Sequence, residues 1–146
     1  MLVLFVLFGS WLLFRGLGAI GVATLATWRA SACYALAVMF VFTSTAHFTK
    51  LKHDLAAMVP PAFPKPLTIV YVTGVFEILG AVGLLLPQLR MYAACGLVAL
   101  LTAMFPANIR AARHHLKLAG RDATPLWLRL PMQLLFIALL LWSAIL

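Results

Sequence analysis

The chain has 146 residues and a net charge of +8, with 65% hydrophobic and only 10% charged residues. Soluble domains are about half apolar and about a quarter charged, and one this small leaves roughly a third of its surface exposed. A water-soluble fold is therefore excluded for most of the chain. The mean hydropathy of +1.09 agrees, and the bases lie in short stretches between apolar runs, which favours lipid over nucleic acid as the partner surface.

Five apolar segments follow in chain order, at about residues 2–25, 30–48, 67–86, 91–109 and 127–146. About 20 apolar residues span a bilayer as a helix. Such unbroken runs cannot alternate as barrel strands. The fold class expected is all-α, a polytopic transmembrane helical bundle forming a single membrane domain over residues 1–146. The first segment is glycine-rich and interrupted by Arg15, which leaves a tilted span, a kinked span and a partly interfacial segment open. It lacks a basic start and is too long for a cleavable secretion signal.

The second segment carries Cys33, Ala37, Phe40, Ser44 and His47 at steps of four and three, which places them on one helical face. After it, Lys50–Met58 fits a short amphipathic helix with Leu51, Leu55 and Met58 together. Pro60, Pro61, Pro64 and Pro66 then impose an extended path.

The third segment contains Glu77, one of three acids in the chain. Its neighbours at i−4, i−3, i+3 and i+4 are Thr73, Gly74, Gly80 and Ala81, all small, so Glu77 is expected at a helix–helix contact rather than toward lipid. Counting residues in from the same side puts Arg15 at similar depth, so an Arg15–Glu77 pair is expected. An ion pair that fixes packing and a proton or ligand site are both open for Glu77.

In the fourth segment Pro106 should free a carbonyl one turn earlier as an acceptor. Asn108 falls near the same side as His47, so His47, Glu77 and Asn108 form a candidate polar site, with Arg15 beside Glu77. The helix is expected to run on through NIRAARHHLKL, with Arg110, Arg113 and Lys117 on one face toward lipid phosphates. Cys33 and Cys95 start from the opposite side at matching depth and form a candidate redox pair if their helices are neighbours. No CxxC is present, and His114 and His115 with His47 and His53 read as solvated or interfacial groups rather than a metal site.

If all five segments cross, Lys50, Lys52, Lys65, Arg110, Arg113, Lys117, Arg121 and Arg129 lie on the side of Met1, against Arg29 and Arg90 on the other. The excess of bases places the N-terminus in the cytoplasm.

The stretches AHFTKLKHDLAAMVPP, VYVTGVFEILGAVGLLLP and GLVALLTAMFPANI resemble the DoxX-like family of small bacterial membrane proteins, over about Ala32 to Leu146. The resemblance implies a four-helix bundle, here with one extra N-terminal apolar helix, in the bacterial inner membrane. His47, Glu77, Pro106 and Asn108 match its characteristic positions. The family name comes from a subunit linked to thiosulfate oxidation and quinone reduction. The expectation is thus a redox-associated role, as a quinone site or an accessory subunit of a membrane oxidoreductase, with quinone as candidate cofactor and a redox protein as partner. The alternatives are a non-enzymatic assembly factor or scaffold and, as a homo-oligomer, a small transporter or channel. No haem, flavin or iron–sulfur signature accompanies the resemblance.

Overall fold

In the computed structural model, which describes residues 2–122 and 124–146, one helix lies at the centre and the others are arranged around it. This is α2, Trp28–Phe48. It buries residues along its whole length, including Cys33, Ala37, Phe40, Ser44 and His47, so the stripe expected from the sequence is the inner face of the bundle. The helix starts where the Thr27 hydroxyl accepts from the Ala30 N–H at 3.1 Å, a side-chain N-cap that satisfies one of the orphan donors of the first turn.

Around α2 pack α1 (Leu2–Ala19), α4 (Pro66–Leu85) and α7 (Leu126–Ala144), and α5 (Arg90–Ala103) closes the bundle against α4 and α7. α1 is 18 residues long, about 27 Å at 1.5 Å per residue, close to the roughly 30 Å of a bilayer's hydrocarbon core. It ends in a loop with a 3-10 turn, Ala23–Leu25, that returns the chain to α2. Large apolar side chains cover the outside: Phe5, Leu12, Phe76, Leu79 and Leu134 are all exposed. Among the described residues, five helices are long and apolar enough to cross a membrane, with the run Arg90–Arg113 counted as one. The expected all-α bundle, with an additional N-terminal helix, is the observed architecture.

Two expectations about the connections meet different outcomes. The amphipathic helix after α2 is present as α3, Lys52–Met58, with Met58 buried and Leu51 and Leu55 partly so. It packs on α4 and on α6, Phe105–Arg113. The helix expected through Lys117 instead stops at Arg113. His115 takes a left-handed φ of 47°, and the Leu116 N–H bonds back to the Ala111 carbonyl at 3.1 Å, a Schellman cap. The chain then forms a two-residue antiparallel pair, β1 (Lys117–Leu118) with β2 (Arg121–Asp122). The loop between them, Ala119–Gly120, has φ of +54° and +74°, as a type I′ turn requires. Lys117 therefore leaves the helical face of Arg110 and Arg113. The Asp54 carboxylate on α3 accepts from the Ala119 N–H at 3.0 Å, which ties the hairpin to the short helix.

Candidate functional site

Glu77 and His47 meet because glycine lets α4 and α2 approach. A Cβ built on Gly74 would lie 2.5 Å from the Cβ of His47, closer than side-chain carbons are found. Gly80, one turn beyond Glu77, receives Leu97 of α5 in the same way. Small residues flanking the acid thus bring helices against it on two sides, and Glu77 is only 4% exposed.

Glu77 Oε2 accepts from the Thr43 hydroxyl at 3.2 Å and lies 3.8 Å from His47 Nε2. His47, also 4% exposed, directs its other ring nitrogen to the Val70 carbonyl at 2.7 Å. A carbonyl can only accept, so Nδ1 carries the hydrogen and Nε2 is the nitrogen turned to the carboxyl. The Thr73 hydroxyl donates to the same Val70 carbonyl at 2.9 Å and sits 3.2 Å from Nδ1. Nε2 thus faces the carboxyl oxygen at 3.8 Å, with the ring's orientation fixed by the backbone.

Beyond His47 lies a cavity of about 310 Å³. Its lining comes from three sources: His47, Ile69, Val70 and Thr73 from α2 and α4; Met104, Pro106, Ala107 and Asn108 from the start of α6; and Leu55, Met58, Pro60 and Phe63 from α3 and the proline-rich loop. The volume is at the lower end of the roughly 300–1,000 Å³ of small-molecule sites, and the wall is apolar with a few polar groups, as such sites are. Of the expected cluster, His47 and Asn108 share this cavity, and Glu77 stands behind His47.

Asn108 belongs to a second polar chain. Arg129 Nη1 donates to Asn108 Oδ1 at 2.9 Å, and Asn108 Nδ2 donates to Gln133 Oε1 at 3.0 Å. Gln133 Nε2 in turn donates to the Leu101 carbonyl. That carbonyl is available because the fourth apolar segment breaks at Met104, between α5 and α6, two residues before Pro106. The acceptor used is therefore the Leu101 carbonyl, and not the carbonyl one turn before Pro106 that the proline was expected to free. Gln133 and Arg129 were not singled out by the sequence, although they stand four apart in an otherwise apolar helix, which is a sign of a shared polar face.

Two expectations are corrected. Arg15 does not pair with Glu77. Its guanidinium lies over the Trp28 ring, 5.2 Å from the centroid. Trp28 opens α2, whereas Glu77 bonds Thr43, fifteen residues further along the same helix and about 22 Å away at 1.5 Å per residue. Similar residue counts did not bring the two together, because Arg15 lies at the Trp28 end of α2 and Glu77 beside its other half. Nor do Cys33 and Cys95 pair. Both are free, Cys95 is exposed on α5, and the buried Cys33 thiol donates to the Ser143 carbonyl of α7 at 3.4 Å. The bundle places α7, not α5, against that part of α2.

The fold and site define a small helical bundle, suited in length and hydropathy to a membrane, with an acid–histidine pair behind a mostly apolar cavity. Residues 36–144 match the model of a family described as a domain of unknown function, DUF8561, and the chain belongs to that family. The match begins within α2, so it takes in the cavity, the His47–Glu77 pair and the Arg129–Gln133 chain, and leaves α1 with Arg15 outside. No curated protein and no solved structure matches the chain.

Proposed function

We propose that this is a redox-associated integral membrane protein of the DoxX-like kind, whose cavity binds a quinone beside a proton-carrying pair. The observation that carries the reading is that His47 lines the cavity while its Nε2 faces Glu77 at 3.8 Å. A ligand in the cavity touches a group that itself faces a buried acid. The lining suits a flat, apolar ring with polar oxygens: aliphatic and proline side chains for the ring, and Thr73, His47 and Asn108 for the oxygens. When bound, a quinone supplies two-electron, two-proton redox chemistry. The chain's own residues hold the head group, exclude water with the α3 lid and pass a proton between Glu77 and His47. Electrons come from a redox-protein partner.

The excess of bases at the cavity end of the bundle supports placing that end, and the N-terminus, on the cytoplasmic side of a bacterial inner membrane. There Lys50, Lys65 and Arg113, all exposed, would meet anionic head groups.

The test is a titration of the detergent-purified protein with short-chain ubiquinone and menaquinone, in wild type, Glu77→Gln and His47→Ala. Saturable binding in wild type, weakened at least about tenfold in His47→Ala, is expected. Equal affinity in all three proteins sinks the reading.

One observation favours a scaffold as the second reading. Gly96, Ala99 and Ala103 on the outer side of α5 line an apolar groove with Gly80 and Ala93, and small residues on an outer face are a seat for another helix. Co-purification of one defined partner, lost in Gly96→Leu, would carry that reading instead.

A further inference from the structure

We infer that Arg129 and Gln133 are positioning residues that hold the Asn108 amide as a hydrogen-bond donor for the cavity, so that the cavity takes ligands with an acceptor oxygen at that point. This deepens the proposed function, and rests on it only for the choice of quinone as the physiological class.

The polarity of the chain is set at both ends by groups that have no choice. A guanidinium can only donate, so the Asn108 atom 2.9 Å from Arg129 Nη1 is the oxygen. A backbone carbonyl can only accept, so the Gln133 atom on Leu101 is the nitrogen, and its oxygen is left for Asn108 Nδ2 at 3.0 Å. An isolated asparagine can rotate its amide by half a turn to suit any ligand. Here such a rotation would set an N–H against the guanidinium and the amide oxygen against the Gln133 oxygen.

What Asn108 retains is the other N–H on Nδ2, which has no protein partner among the described residues, at a residue that lines the cavity. The cation on Oδ1 draws electron density from the amide and strengthens that N–H as a donor. The same cation disfavours an ammonium or other positive group in its vicinity, and neither Asp54 nor Glu77 lies within salt-bridge distance of Arg129. The chemistry favoured is an acceptor oxygen with no positive charge beside it, such as the carbonyl of a quinone or an aryl ketone.

Asn108 is the sole asparagine in the chain, so labelling with ¹⁵N-asparagine reports on this amide alone. The test is the side-chain amide spectrum of the detergent-solubilised protein, titrated with acetophenone and separately with toluene, which has the ring without the oxygen. In wild type one Nδ2 proton, held by Gln133, should stay in place, and the other should move downfield with acetophenone and not with toluene. Arg129→Lys keeps a donor for Oδ1 and should retain the effect, while Arg129→Met should lose it, with acetophenone affinity falling about three- to tenfold. Equal shifts from both probes, no shift from either, or a full acetophenone effect in Arg129→Met would overturn the inference. A short-chain ubiquinone in the same experiment separates the two claims. If acetophenone moves the amide and the quinone does not bind, the donor stands and the quinone reading falls. If the quinone binds without moving the amide, the donor falls and the quinone reading stands.

Discussion

The two ends of the bundle each take an arginine into an apolar helix and accommodate it differently. At one end Arg15 rests on the face of Trp28, and Arg29 lies over Trp142 and donates to its backbone carbonyl at 3.0 Å, in the last turn of α7. Trp11 donates to the Trp28 carbonyl and packs near the Trp28 and Trp142 rings. These cations use aromatic faces and a helix C-terminus, which suits a membrane–water boundary and needs no cavity. At the other end Arg129 enters a chain of amides that ends on a broken helix, next to a cavity and one helix away from a buried acid–histidine pair. Aromatic anchoring tolerates substitution, whereas a directional chain of donors and acceptors loses its meaning when one member changes.

The sharpest way to break this contrast is at the helix contact beneath the acid. Gly74→Leu would force a side chain into His47, and is expected to lower stability by about 3 kcal/mol, read as a fall in the thermal midpoint in detergent. Gly96→Ala is the control, since nothing lies within 4 Å of the added carbon, and should not lower the midpoint. Next in size is Gln133→Leu. It strands the Leu101 carbonyl and an Asn108 N–H, with an expected cost of about 2 kcal/mol in the same assay. An unaltered midpoint would mean that the amide chain is not part of what holds α7 to the kink.

Thr43→Val removes one hydrogen bond to the Glu77 carboxyl and should cost about 1 kcal/mol. The cavity end thus gives three graded losses. At the opposite end Arg15→Met should cost only about 0.5 kcal/mol, because the guanidinium makes a cation–π contact to an exposed ring and its buried Nε has no hydrogen-bond partner. It should also leave quinone affinity as in wild type; a loss of affinity would reinstate an Arg15–Glu77 coupling. Smallest of all, Cys95→Ala should not shift the midpoint measurably. A membrane-permeant maleimide should label Cys95 in the folded protein and reach Cys33 only after unfolding.

Local patterns carried some features without help from tertiary structure. The stripe from Cys33 to His47 is a helical repeat of buried residues, and a repeat of three and four can be read from order alone. Glu77 among Thr73, Gly74, Gly80 and Ala81 could be placed inside the bundle because small neighbours on one helical face imply a close partner. The α3 helix followed from three apolar residues ahead of a run of prolines. The end of α6 was missed, since a left-handed histidine at a Schellman position has no signature that separates it from a continuing helix. Arg129 and Gln133 were passed over because a polar pair near the end of an apolar segment ordinarily reaches for the interface.

By itself the sequence determined the number of long apolar helices and which face of α2 and α4 turns inward. Those follow from composition and period, which are properties of neighbours along the chain. Only the tertiary structure decided that His47 rather than Arg15 stands beside Glu77, that Cys33 meets α7 rather than Cys95, and that Asn108 is oriented from a different helix. The physical reason is common to all three. A helix fixes the direction of a side chain relative to its own axis, but the offset and order of helices are set by how their surfaces pack, and a shift of two turns, about 11 Å, is enough to exchange one partner for another.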